Sequence, residues 1–100
     1  MKLTERIESE KILVAINMLK VIAHPVRLAI VDLLTEHEKM TVLEIQKALN
    51  LEQAIASQHL TLMEGKGVLV SKKLSRNKFV SLRYPKMKNI VSCMEHCCNE

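Results

Sequence analysis

The sequence predicts a mainly α-helical single domain carrying one β-hairpin, and three observations lead there. The 100 residues contain only two glycines and two prolines, with Leu, Ile, Val, Ala, Glu and Lys prevailing, a composition that favours helix over strand. Apolar positions recur at helical spacing from Ile12 to Met63. After Gly67 the period changes from 3.6 to 2 and later returns to 3.6. A chain of this length holds one core and has little left for a second, so one domain is expected over 1–100.

In chain order, Thr4 is placed to cap a first helix, with Glu5 and Glu8 early, where the helix dipole favours acid. Ile12 to Ala23 is apolar nearly all round, so this helix (about 4–22) needs burial on more than one side. A monomer of 100 residues offers too little cover, and a homodimer is expected. His24-Pro25 breaks the helix and starts another, Pro suiting the first helical position. Val26, Ala29, Ile30, Leu33 and Leu34 form its core stripe, and the polar run Glu36 to Lys39 ends it.

Thr41-Val-Leu-Glu44 is a capping box that fixes the start of the third helix. Val42, Ile45, Ala48 and Leu49 are expected to point inward, with Asn50 as a left-handed C-terminal residue. The fourth helix turns Ala56, Leu60 and Met63 to the core, flanked by Ile55 and Leu62. Its other face carries Gln53, Ala54, Ser57, Gln58 and Thr61, and Gly65 ends it. Val68 to Leu74 and Phe79 to Tyr84 alternate like strands about a tip of Ser75 to Lys78, a hairpin over about 68–84. A last amphipathic helix (about 86–98) carries Met87, Ile90, Val91 and Met94, continued by Cys97 and Cys98. It is expected to pair with the first across a two-fold.

The formal net charge is +4, and its distribution says more than its size. Between Gly65 and Met94 stand eight basic residues (Lys66, Lys72, Lys73, Arg76, Lys78, Arg83, Lys86, Lys88) and no acid. A basic block on a structured segment points to phosphate. Double-stranded DNA is the partner that fits a helix of short hydrogen-bonding side chains beside a cationic hairpin. No membrane partner is expected: the apolar run Ile12 to Ala23 is broken by Asn17 and Lys20 and is too short to span a bilayer. No secretory signal is evident, and three cysteines crowded near the end make no disulfide framework. A bacterial-type cytoplasmic location is expected.

Helix, helix, helix-turn-helix (about 41–64), hairpin and helix make a winged helix-turn-helix of about five helices with a two-stranded wing. The strings LKVIAHPVRLAIVDLL, MTVLEIQKALNLEQAIASQHLTLMEGKGVLVSKK and NKFVSLRY, in this order, resemble the ArsR/SmtB family of small dimeric repressors from about Leu19 to Tyr84. That resemblance implies a homodimeric repressor on a palindromic operator, the fourth helix in the major groove and the wing on the backbone or minor groove. Gln53, Ser57 and Gln58 are able to donate and accept at base edges. Lys72, Lys73, Arg76 and Lys78 supply sequence-independent affinity.

Departures from the family pattern are specific. His24 stands where the family usually has an acid before Pro-x-Arg, and Glu52 and Ala54 stand where it often has Ser. Ala54 offers a methyl to thymine in place of a hydrogen bond. His59 is expected to be a hydrogen-bonded structural residue rather than a base reader. The family's metal site on the third helix needs Cys-x-Cys where this chain has Met40-Thr-Val-Leu43, and its Asp-x-His and His-x-x-Glu site on the last helix is also missing.

What remains is Cys93, His96 and Cys97, soft ligands within about one helical turn, suited to Zn or another thiophilic metal. Oxidation of thiols across a dimer is the alternative, and plain packing of the cysteines in the dimer seam is the third reading. No other cofactor is indicated. An enzyme using His96 and Cys97 is not expected: adjacent helical residues point about 100° apart, and no oxyanion motif accompanies them. A winged-helix protein-interaction module that has lost DNA binding is the alternative function, with Glu52 and Ala54 as its only hints.

Overall fold

The computed structural model describes residues 2–99, apart from the side chain of Thr4. Met1 and Glu100, included in the expected domain, lie outside the described residues. The elements are α1 (Leu3–Arg6), α2 (Ser9–Ile22), α3 (Pro25–Glu36), β1 (Met40–Thr41), α4 (Val42–Leu49), α5 (Gln53–Gly65), β2 (Leu69–Leu74), β3 (Asn77–Leu82), a 3-10 turn (Pro85–Met87) and α6 (Lys88–Cys98). Five helices of eight residues or more and the hairpin wing match the expected architecture.

The start of the chain differs from the expectation. Thr4 falls inside α1, whose N-cap is Lys2, and the Lys2 N–H donates to the Glu5 carboxylate at 3.1 Å. Ile7 and Glu8 are extended, so the single helix expected over about 4–22 is two. At the other end, Pro25 opens α3 with the His24 ring accepting from the Val26 N–H at 3.1 Å. That side-chain cap satisfies one of the free donors of the first turn.

The capping box of α4 is complete: Glu44 N–H donates to Thr41 Oγ1 at 3.2 Å and Thr41 N–H to Glu44 Oε1 at 2.9 Å. The carboxylate is held below the ordinary Glu range by that backbone donor. Asn50 closes the helix in the left-handed region (φ 52°, ψ 51°), a conformation Asn tolerates better than most residues. The turn into α5 therefore needs almost no loop.

A three-stranded antiparallel sheet in the order β1-β3-β2 replaces the expected two-stranded one. Met40 pairs with Val80 and Thr41 with Phe79, so the segment entering α4 is stitched to the wing. The wing turn is also tighter than expected. Leu74 pairs with Asn77, Ser75 takes φ 58°, and Asn77 and Lys78 belong to β3 rather than to the tip. The last helix begins at Lys88, after the 3-10 turn, rather than near 86.

Ile30, Val31, Leu34, Ile45, Met63, Val68, Leu69 and Val80 form the centre of an aliphatic core, with Met87 closing it from the last segment. Val31, outside the expected stripe of α3, is fully buried, whereas Ala48 of α4 is exposed. Both follow from packing: α2, α4, α5, α6 and β3 all pack against α3, so more than one stripe of it is covered, whereas Ala48 lies on the exposed side of α4. Among the described residues no single helix is long and apolar enough to cross a membrane; α2 and α3, which pass that test only as a pair, are bent by 103°.

Candidate nucleic-acid interface

Helix α5 is fixed from behind and free in front. Ala56, Leu60 and Met63 are buried against the core. Gln53, Ala54, Gln58 and Thr61 are exposed and Ser57 is half-buried. Their spacing puts all five on one face, as expected. The side chains are short or carry amides, and they project from a helix narrow enough for a major groove. Ile55 and Leu62 flank this face, both exposed.

Glu52 stands at the N-cap of α5 without a hydrogen bond from its side chain to the helix. The first-turn N–H groups thus have no side-chain cap from this residue. His59 does not join the exposed face. Its Nδ1 accepts from Arg27 Nε at 3.2 Å, the structural role expected of it.

The wing brings its cations beside α5 but divides them between two faces. Ser71 pairs with Val80 and Lys73 with Lys78, on the side of the hairpin that carries buried Leu69, Val80 and Leu82. Lys72 pairs with Phe79 on the opposite side, where Lys39 also sits, 5.0 Å from the Phe79 ring. Arg76 occupies the two-residue tip. All four cations are exposed. Lys73 and Lys78 oppose each other as like charges, an arrangement that destabilises a hairpin unless an anion intervenes.

One such anion is internal. Glu64, in the last turn of α5, accepts from Ser71 Oγ at 2.5 Å and from Lys78 Nζ at 3.4 Å. The Ser71 hydroxyl, and then Lys78, hold its carboxyl below the usual Glu range. This contact ties the end of α5 to both strands of the wing and partly offsets the charge of Lys78. Sequence reasoning missed it, since Glu64 reads as one more polar residue near a helix end.

Cys93, His96 and Cys97 lie exposed along α6, and the thiols, Cys98 included, are free. Among the described residues no three His, Cys, Asp or Glu side chains of one chain converge as a metal-binding group.

Comparison with known proteins agrees with this geometry. A family model described as "Helix-turn-helix domain" matches residues 22–71. The transcriptional repressor PagR of Bacillus anthracis is 38% identical over 78 residues, 78% of each chain. Its crystal structure superposes with a TM-score of 0.80 at 34% identity, covering 87% of this chain and 99% of that one. The transcriptional repressor BigR from Xylella fastidiosa gives a TM-score of 0.79 at 28% identity, covering 97% of this chain and 96% of its own. A homodimeric winged helix-turn-helix DNA-binding domain from Mycobacterium bovis, a possible ArsR-family regulator, shares the fold (TM-score 0.79, 16% identity, 100% and 89% covered). These relatives are named as repressors and regulators, not as enzymes. With the model spanning half the sequence and a 38% identical relative spanning most of it, the chain belongs to the ArsR/SmtB-type helix-turn-helix family of transcriptional repressors.

Proposed function

We propose that this protein is a sequence-specific DNA-binding transcriptional repressor that acts as a homodimer on a palindromic operator. The observation that carries the reading is the uncharged hydrogen-bonding face of α5, exposed next to a wing that bears Lys73, Arg76 and Lys78. Gln53, Ser57 and Gln58 read base edges, and Ala54 and Thr61 offer methyl groups to thymine. The wing cations, with Lys72 on its outer face, contribute phosphate contacts. The apolar surface of α2 supplies the dimer seam with α6. Two copies of α5 set about 34 Å apart then enter successive major grooves. A response to metal or oxidant would act through Cys93, His96 and Cys97 of both copies.

The experiment separates reading from anchoring. Fluorescence anisotropy is measured on the promoter-region duplex and on random duplex across a salt series. Replacing Ser57 or Gln58 with Ala is expected to cost about 1–3 kcal/mol on the operator and little on random DNA. Arg76→Ala is expected to weaken both alike and to lower the salt slope by about one. Equal losses on both duplexes for the α5 variants would remove base reading from that face.

A further inference from the structure

Arg27 sits where three parts of the chain meet. Its Nε donates to Nδ1 of His59 in α5 at 3.2 Å, and its Nη1 donates to the carbonyl oxygen of Val21 in the last turn of α2, also at 3.2 Å. One guanidinium thus joins the helix with the apolar surface to the helix with the reading face. The two contact residues, Arg27 and His59, are 32 positions apart in sequence. His24, the N-cap of α3, lies against the same histidine, with ring centroids 4.8 Å apart and planes tilted by 53°.

This arrangement requires a neutral His59. An imidazolium carries N–H on both nitrogens and offers no acceptor. Protonation therefore turns the Arg27 contact from a hydrogen bond into two cations facing each other. We propose that the Arg27–His59 hydrogen bond is a proton-sensitive clasp that positions α5 against the end of α2, so that acidification releases the reading helix and weakens operator binding. The proposal rests on the DNA-binding reading above.

The surroundings of His59 reinforce the direction. Among the described residues, the charged or titratable groups acting on it are His24 at the α3 N-cap and Arg27 in α3, and neither is acidic. The Val21 carbonyl of α2 is engaged by Arg27. Partial burial first, then His24 and Arg27, push the His59 imidazole below the ordinary histidine range. A histidine whose folded pKa lies below its unfolded one binds protons more readily when released. The clasp is therefore intact above the unfolded value of about 6.5 and is lost as pH falls towards the lowered folded value. Simple charge effects run the other way, because protonating surface histidines adds positive charge and strengthens attraction to phosphate. A loss of binding in acid is thus diagnostic.

His59 and Arg27 are positioning residues here, acting on DNA only through α5. The test uses the full chain. Operator affinity is measured by anisotropy from pH 8 to 5.5 at constant ionic strength, for wild type and for His59→Asn, whose amide oxygen can accept near the position of Nδ1 without titrating. Wild-type affinity is expected to fall severalfold across this range, while His59→Asn holds or gains affinity. A wild type that holds or gains affinity in acid, or an equal fall in His59→Asn, overturns the proposal. A second measurement needs no DNA: the His59 imidazole is titrated by NMR in wild type and in Arg27→Met. Its pKa is expected to rise when Arg27 is removed, and an unchanged value contradicts the clasp. Should no operator bind at any pH, the DNA reading fails, and the NMR titration still decides whether Arg27 and His59 are coupled.

Discussion

Leu19→Glu is expected to yield a folded monomer that has lost operator affinity by about a hundredfold or more. Helix α2 is apolar but mostly uncovered: Leu13, Val14, Ile16 and Leu19 are 61%, 55%, 40% and 51% exposed, while Val21 and Ile22 are buried. The radius of gyration, 14.7 Å, exceeds the about 13 Å of a compact chain of this length, in keeping with an elongated outline of 48 × 34 × 21 Å. Met94 on α6 adds to the same exposed apolar class. Surface of this kind suits an interface, and in the proposed homodimer a second copy of the chain offers a matching one. A carboxylate set into that seam loses its hydration without a partner. Because Leu19 is exposed within one copy, the monomer's own core is untouched and its folding stability should change by less than about 0.5 kcal/mol. The loss of affinity comes from severing two reading helices that bind as one unit. Sedimentation velocity and anisotropy on the same sample check it. A variant that stays dimeric and binds as before would show that α2 is not the seam.

Ile45→Ala is expected to cost about 2–5 kcal/mol of folding stability. Ile45 is fully buried in α4 and belongs to the same core as Ile30, Met63 and Val80, so deleting its side chain leaves a cavity that α4 and α5 cannot both close. Against a total of about 5–15 kcal/mol for a domain, this is a large fraction. Ala48→Ser, three residues on and exposed, should change stability by less than about 0.5 kcal/mol. Urea unfolding of the two variants decides the matter. Similar midpoints for both would contradict the packing of the helix-turn-helix unit.

The contrast between Ile45 and Ala48 shows where the sequence is legible. Both fall on the apolar side of one short helix, and only the tertiary partner separates them. Features closed within a few residues were readable in advance: the Thr41–Glu44 box, Pro25 at the start of its helix, the left-handed Asn50, and the Ala56-Leu60-Met63 stripe that leaves Gln53 to Thr61 outside. Each is a local hydrogen bond or a repeated spacing. Features made by distant segments were not. Two residues carry no period, so β1 is visible only once Met40 meets Val80. The break at Ile7–Glu8 lies in a stretch whose composition suits continuous helix. The Glu64–Ser71–Lys78 contact and the Arg27–His59 clasp join residues whose own neighbourhoods give no hint of the partner.

The candidate site divides in the same way. The exposed polar face of α5 follows from helical spacing alone, and the position of its residues agrees with that expectation. The wing cations were identified by charge, but their division between two faces depends on the register of a two-residue turn. With the tip at Ser75–Arg76, Lys73 and Lys78 look towards α5 and Lys72 looks away. Lys78 is further engaged by Glu64, whereas Lys72, Lys73 and Arg76 make no ion pair among the described residues.

The most direct measurement of the central claim is a competition titration of the intact protein on its own promoter-region duplex and on random duplex at moderate salt. Repressor function through base reading predicts binding to the promoter region at least about a thousandfold tighter, with two protected half-sites one helical turn apart. Equal affinity for both duplexes would contradict it.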